Sequence, residues 1–218
     1  MLITPAEENY LKAIFKIAEQ EDKPVQTNAI AHEMNTAAAS VTDMLKRLAE
    51  KQLITYEKYR GVQLSPAGNQ IATVLIRKHR LWETFLVDKL GFPWDQVHEL
   101  AEQLEHIQSD TLTSRLDQFL GFPSFDPHGD PIPDAQGRWN RRAQIALSDM
   151  QAGQKGKLTA VADDAALFLQ YLDQLGLALH AEITVLERFP FDQSMKVLIG
   201  EKATVLSEKV CQNLYCAV

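Results

Sequence analysis

The sequence predicts a mainly α protein in three consecutive parts: an N-terminal winged helix-turn-helix, a helical middle and a small C-terminal β-barrel. Three observations predict it. From Thr4 to Ser65 the signals run helix, short helix, turn, helix, hairpin, which is the order of a winged helix-turn-helix. From Ala67 to about Leu120 apolar residues recur at helical spacing. Beyond a Pro-, Gly- and Asp-rich stretch at 121–139, which reads as a loop and domain boundary, the pattern turns to short β-type runs.

The first helix opens at "TPAEENYLKAIFKIAEQ". Thr4 can cap, Pro5 suits the first helical position, and Glu7 completes a Thr-x-x-Glu capping box. Leu11, Ile14, Phe15 and Ala18 form its apolar stripe. "TNAIAHEM" predicts a short helix capped by Thr27, and "SVTDMLKRLAEKQLI" a further helix beginning near Ser40. Ile54–Lys58 and Val62–Ser65 read as two strands joined through Arg60-Gly61. A long helix then runs from Ala67 to a stop at Gly91, and the segment from Val97 is expected to remain helical to about Leu120. In the last part, "GKLTAVA", "EITVLERF", "SMKVLIG", "KATVLS" and "NLYCAV" read as strands, with one helix in "DDAALFLQYLDQLG".

A chain of 218 residues, 45% hydrophobic and 23% charged, has the make-up of an ordinary globular protein. No apolar run approaches the roughly 18 residues a membrane span needs. "MLITPAEENY" lacks the basic start and apolar stretch of a secretory signal, so a cytoplasmic location and no membrane partner are expected. The two cysteines, Cys211 and Cys216, fit no standard zinc spacing and are expected to be reduced thiols in a terminal strand.

The net charge of −7 conceals an asymmetry. Residues 36–80 carry eight basic side chains against three acidic ones, a net of +5, which leaves −12 for the rest. A basic module inside an acidic chain points to DNA. Ser40, Thr42 and Asp43 are placed to face base edges from the second helix of the pair. Lys46, Arg47, Lys58 and Arg60 suit phosphates. The competing reading is a three-helix packing unit with a solvated basic face.

"VHELAEQLEHIQSD" carries a different chemistry. At about 100° per residue, His98, Glu102, Glu105 and His106 share one arc of about 100°, with Leu100, Leu104 and Ile107 opposite. The preceding helix offers His79 and Glu83 one turn apart. Imidazole and carboxylate donors without thiolate suit Mn(II), Fe(II), Co(II) and Zn(II). The alternatives are a surface helix pair for His79/Glu83 and a solvated acidic face for the stripe. A metalloenzyme with a His/Glu di-metal site is the rival function. Against it, "EQLEH" is neither zinc-protease motif, and no nucleophile or oxyanion device accompanies it in sequence. A third reading is a metal-independent winged-helix protein whose acidic helix binds a partner.

"IRKHRLWETFL", "VHELAEQLEHIQSD" and "PHGDPIP" resemble the diphtheria toxin repressor family of metal-dependent transcriptional regulators. "LITYEKYRGVQLSPAG" is similar to the wing of its manganese-transport regulators. The resemblance implies a winged helix-turn-helix DNA-binding domain at 1–73, a helical metal-binding and dimerisation domain at 74–140, and an SH3-like domain at 141–218. It further implies a homodimer on palindromic operator DNA, repressing metal-uptake genes with a divalent cation as corepressor, and no catalytic residues. By position, His79, Glu83 and His98 match the ligands of one metal site; Glu102, Glu105 and His106 match a second, completed from the first helix by Asn9. Iron-responsive members carry Met in that helix and Cys at the place of Glu102, whereas manganese-responsive members carry Asp and Glu. Glu102 therefore implies Mn(II), with Fe(II) the alternative. Asn9 departs from the pattern, because a neutral amide is a weaker ligand, and Lys12 stands where the manganese type has a second acid. The C-terminal domain supplies Glu and Gln ligands in some members. Thr159–Ala162 cannot supply those groups, which leaves Asp163 or Asp164 as substitutes.

Overall fold

A computed structural model describes residues 3–20, 23–57 and 60–218. Backbone contacts divide the chain into two compact units, each with its own core. The first comprises residues 1–79, 105–108 and 133–138; the second comprises 80–104, 109–132 and 139–218.

The first unit contains α1 (Pro5–Gln20), α2 (Thr27–Glu33), α3 (Ala38–Glu50), β1 (Ile54–Glu57), β2 (Gly61–Leu64) and the start of α4 (Pro66–Leu90). The capping box forms as expected: Thr4 N–H donates to Glu7 Oε2 at 2.9 Å, and Glu7 N–H to Thr4 Oγ1 at 3.3 Å. Leu11 and Ile14 of α1 are fully buried, as are Ile30 of α2 and Val41, Leu45 and Leu48 of α3. Two start signals differ from expectation. Gln26 rather than Thr27 occupies the cap position of α2, and α3 begins at Ala38, which puts Ser40 inside its first turn. The hairpin pairs Ile54 with Leu64 through Glu57 with Gly61, and Val62 also bridges Val25. Gly61 is required there: its φ is +103°, and an added Cβ would stand 2.9 Å from the Val25 carbonyl oxygen. Lys58 lies outside the described residues.

The second unit takes the rest of α4, which stops at Gly91 with φ +71°. A single 3-10 turn at Trp94–Gln96 and α5 (His98–Leu104) follow. The helix expected to reach Leu120 is broken. Residues 105–109 are non-helical, and a new helix, α6 (Asp110–Phe119), starts under a cap in which Ser109 Oγ accepts from Leu112 N–H. The face expected to be apolar shifts with the break. Val97, Ala101 and Glu105 are fully buried, while Ile107 is 40% exposed. Within 121–139 the chain is tightly ordered at its centre. Phe125 bridges Pro131, and Asp126 Oδ1 accepts from the N–H groups of His128 and Asp130.

Among the described residues there are eight strands instead of seven, in two sheets. The larger one uses β3 (Ile145–Ala146), β4 (Lys155–Val161), β5 (Glu182–Arg188), β6 (Met195–Ile199), β7 (Lys202–Leu206) and β8 (Leu214–Ala217), in the order β3-β8-β4-β5-β6-β7 with every pair antiparallel. The predicted helix is α7 (Ala166–Leu175); β3 and the short α8 (Glu208–Gln212) were too brief to leave a period in the sequence. The core here includes Leu147, Met150, Leu158, Leu169, Leu172, Ile183, Val185 and Val197. No helix among the described residues is long and apolar enough to cross a membrane.

Both cysteines are free and buried, but only Cys216 is in the terminal strand; Cys211 belongs to α8. Burial pushes the Cys211 thiol up to about 12 and the Cys216 thiol to about 11. At pH 8 both should therefore resist a thiol reagent in the native protein and react when the chain is unfolded in denaturant. Rapid labelling of the native protein would contradict this burial.

Candidate functional site

In the first unit the chemistry centres on Glu105, which has no exposed surface. Its Oε1 receives the Lys12 ammonium at 2.6 Å, and its Oε2 meets His79 Nδ1 at 2.5 Å. Burial alone would raise the Glu105 carboxyl, but the His79 hydrogen bond and the Lys12 charge outweigh it and hold the group below its ordinary value. Glu105 is thus an ionised carboxylate in the interior. Beside it, His106 Nδ1 lies 2.6 Å from Glu8 Oε2, and Gln108 donates to Glu8 Oε1 at 2.8 Å. Lys78 donates to the Ile107 carbonyl. Residues 105–108 are therefore stitched to α1 through Lys12 and Glu8, and to α4 through His79 and Lys78. Asn9, one residue after Glu8, has its Oδ1 buried and accepting no hydrogen bond from any described residue. A buried amide oxygen without a donor is what a cation would satisfy.

In the second unit the centre is Glu83, only 2% exposed, and again each carboxylate oxygen faces a base. Oε1 lies 3.4 Å from His98 Nδ1, and Oε2 lies 3.7 Å from His128 Nδ1. His98 also stands 3.5 Å from Asp164 Oδ2 and 3.7 Å from Glu102 Oε1. Asp126 closes the group: one donor atom each from Glu83, Asp126 and His128 falls within 4.8 Å of the other two, and all three residues are buried. Burial, with the charges of Asp130 and Glu83, pushes the Asp126 carboxyl up. Burial would push His128 down, but the hydrogen bond and charge of Glu83 raise it. His128 Nε2 donates to the Trp94 carbonyl at 2.9 Å, which fixes the ring. Arg80 reaches Asp126 at 3.5 Å and Asp130 at 2.9 Å.

The structure thus distributes the expected donors by unit. Asn9, His79, Glu105 and His106 lie in the first; Glu83, His98, Glu102 and Asp164 lie in the second. His79 precedes Glu83 by one turn of the continuous α4. Asp163 behaves as an ordinary turn acid, accepting from Ala165 N–H at 3.0 Å. Three donors were missed. Asp126 and His128 stand in the quoted "PHGDPIP" region, where an Asp two residues before a His in a Gly/Pro loop was the available signal. Glu8 was passed over for its neighbour Asn9, although it shares the helix face of Lys12 at i,i+4.

The basic surface is smaller than the charge count implied. Arg77 and Lys78 are buried and donate to the carbonyls of Pro133 and Ile107, and Arg80 is spent on Asp126 and Asp130. Ser40, Lys46, Arg47 and Arg60 are exposed. Asp43 pairs with Lys46 at 3.2 Å, Arg60 pairs with Glu57 at 2.9 Å, and Thr42 Oγ1 donates to the Ala38 carbonyl.

Comparison with known proteins matches residues 2–62 to the iron dependent repressor N-terminal DNA binding domain, 65–134 to the iron dependent repressor metal binding and dimerisation domain, and 145–218 to the FeoA domain. The diphtheria toxin repressor of Corynebacterium jeikeium (strain K411) is 35% identical over 126 residues, covering 58% of this chain and 52% of that protein. The chain thus matches about half the length of such curated relatives. A manganese-dependent transcriptional repressor solved in complex with manganese is similar over 97% of this chain and 99% of its own, with 34% identity and a TM-score of 0.88. The manganese regulator SloR is 32% identical, with 99% of each chain covered and a TM-score of 0.79.

Replacing Glu105 with Ala leaves the Lys12 ammonium buried without its carboxylate, a loss of about 3–5 kcal/mol. Urea unfolding of the metal-free protein should show it as a lowered midpoint. A midpoint within error of the parent would mean that the pair is solvated rather than buried.

Proposed function

The chain belongs to the iron-dependent repressor family, and from that premise we propose that it is a metal-gated transcriptional repressor using Mn(II), or Fe(II), as corepressor. The observation that carries this reading is the attachment of residues 105–108 to α1 and α4, because the acids and imidazoles that would hold a cation also hold the first helix of the DNA-binding unit.

Two donor groups suit a divalent ion. On the family resemblance, Asn9, Glu102, Glu105 and His106 would hold one ion and His79, Glu83, His98 and Asp164 another; within single units, Glu8 meets His106, and Asp126 and His128 stand by Glu83. All are oxygen or imidazole donors, which suit Mn(II) and Fe(II). Asp163 accepts from Ala165 N–H in its own turn, and Asp164 is the acid of that pair that reaches His98. A bound divalent cation supplies the positive charge that a crowd of carboxylates lacks and a centre for donors from several segments. The chain does the rest. Glu105 and His106 fix the register of residues 105–108 on α1, and so limit how the winged helix-turn-helix can be oriented. In a homodimer, palindromic half-sites about one DNA turn apart then select that orientation. Ser40, Thr42 and Asp43 on α3 face the bases, with Lys46, Arg47, Lys58 and Arg60 toward phosphates. We infer domains at 1–73, 74–140 and, SH3-like, 141–218, in a cytoplasmic protein that is not an enzyme.

The test is fluorescence anisotropy of chelator-stripped protein on DNA from upstream of its own gene, titrated with Mn(II) and with anaerobic Fe(II). Metal should tighten binding by tenfold or more, at lower free Mn(II) than Fe(II), and Glu83→Ala should blunt the response. By linkage, DNA should tighten metal binding by the same factor. Operator affinity indifferent to both ions would sink the proposal.

A further inference from the structure

Lys12 places its ammonium on a donor of the first group, and its position is unusual for a lysine. Its side chain is 7% exposed, and its Nζ lies 2.6 Å from Glu105 Oε1. The other oxygen of Glu105 is engaged by His79. Lys12 follows Asn9 by three residues and Glu8 by four on α1, so it shares a face with the unsatisfied Asn9 amide oxygen and with the acid that meets His106. Stability gives no reason for such a pair, since apolar residues of similar volume commonly replace a buried ion pair without loss.

We infer that Lys12 is a built-in competitor for the corepressor cation, holding Glu105 in the metal-free protein and setting the metal concentration at which the site fills. The inference rests on reading Glu105 as a cation ligand. An ammonium beside a carboxylate lowers its affinity for protons by a factor of about 10 to 1000, and the same repulsion acts on a second cation. A metal ion at Glu105 therefore has to displace Lys12 from Oε1. The site then ignores scarce metal and fills only when the metal is plentiful, which is the condition a repressor of uptake has to sense.

The experiment measures Mn(II) affinity directly, by calorimetry and by the electron paramagnetic resonance of free Mn(II), without DNA. Lys12→Gln keeps a donor to Glu105 and removes the charge; Lys12→Arg keeps the charge. The glutamine variant should bind Mn(II) about tenfold or more tightly than the parent, and the arginine variant should not. Equal or weaker binding by Lys12→Gln overturns the inference, because a lysine that only orients Glu105 would leave a poorer site when removed. If Lys12→Gln does not fold, amine acylation of the parent followed by mass spectrometry replaces it. Lys12 labelling should rise when Mn(II) is added, and unchanged labelling overturns the inference. Glu105→Gln separates the two levels. If it binds Mn(II) as tightly as the parent, the reading of Glu105 falls, and the Lys12 inference with it. If binding needs Glu105 but ignores Lys12, only the inference falls.

Discussion

A carboxylate with no exposed surface has to be satisfied inside the protein, and Glu105 meets that constraint with an ammonium on one oxygen and an imidazole on the other. Neither partner is local: Lys12 comes from α1 and His79 from α4. The cost of burying the charge is offset only if both helices and residues 105–108 adopt one arrangement together. Glu8, on the same face of α1, reinforces that arrangement by meeting His106 and Gln108.

Glu83 solves the same problem differently. Its oxygens face two imidazoles, His98 and His128. Arg80, in the same unit, is directed at Asp126 and Asp130. Each unit therefore contains an acid–imidazole cluster with a basic residue against it, Lys12 on the acceptor itself in the first and Arg80 on neighbouring acids in the second. Buried glutamates in contact with histidines are otherwise costly features, and Glu105 is held below its ordinary value by partners that a cation resembles.

Local chemistry was readable in the sequence, and long-range satisfaction was not. The Thr4–Glu7 box, the stop at Gly91, five strands and α7 follow from short-range steric and hydrogen-bonding rules, and the structure has them. The resemblance carried the family. The run from Val97 looked like one long helix because nothing near Glu105 in sequence reveals Lys12 and His79, 93 and 26 residues away. Ser109-Asp110 was a start signal hidden inside an apparent continuation. The basic tally over 36–80 misled for the same reason: Arg77 and Lys78 are counted as charge in a sequence, but in the fold they serve backbone carbonyls. Asp126 and His128 sit in a segment without period, where only three dimensions bring them to Glu83.

Gly129 gives the C-terminal sheet domain a role beyond supplying side chains. With φ at +90° and the position of a Cβ only 2.0 Å from the Thr159 carbonyl oxygen, the loop backbone lies directly against β4. Val161 N–H donates to the His128 carbonyl, and Arg142 donates to the carbonyls of both Gly129 and Thr159 while its guanidinium covers the Phe125 ring at 3.7 Å. The strand thus works as a jig: Asp126 and His128 are located by a surface that contributes no donor of its own. Apart from Asp164, which faces His98, this domain locates the loop through backbone and one arginine, so the sequence of its strands can change widely while Asp126 and His128 stay where they are.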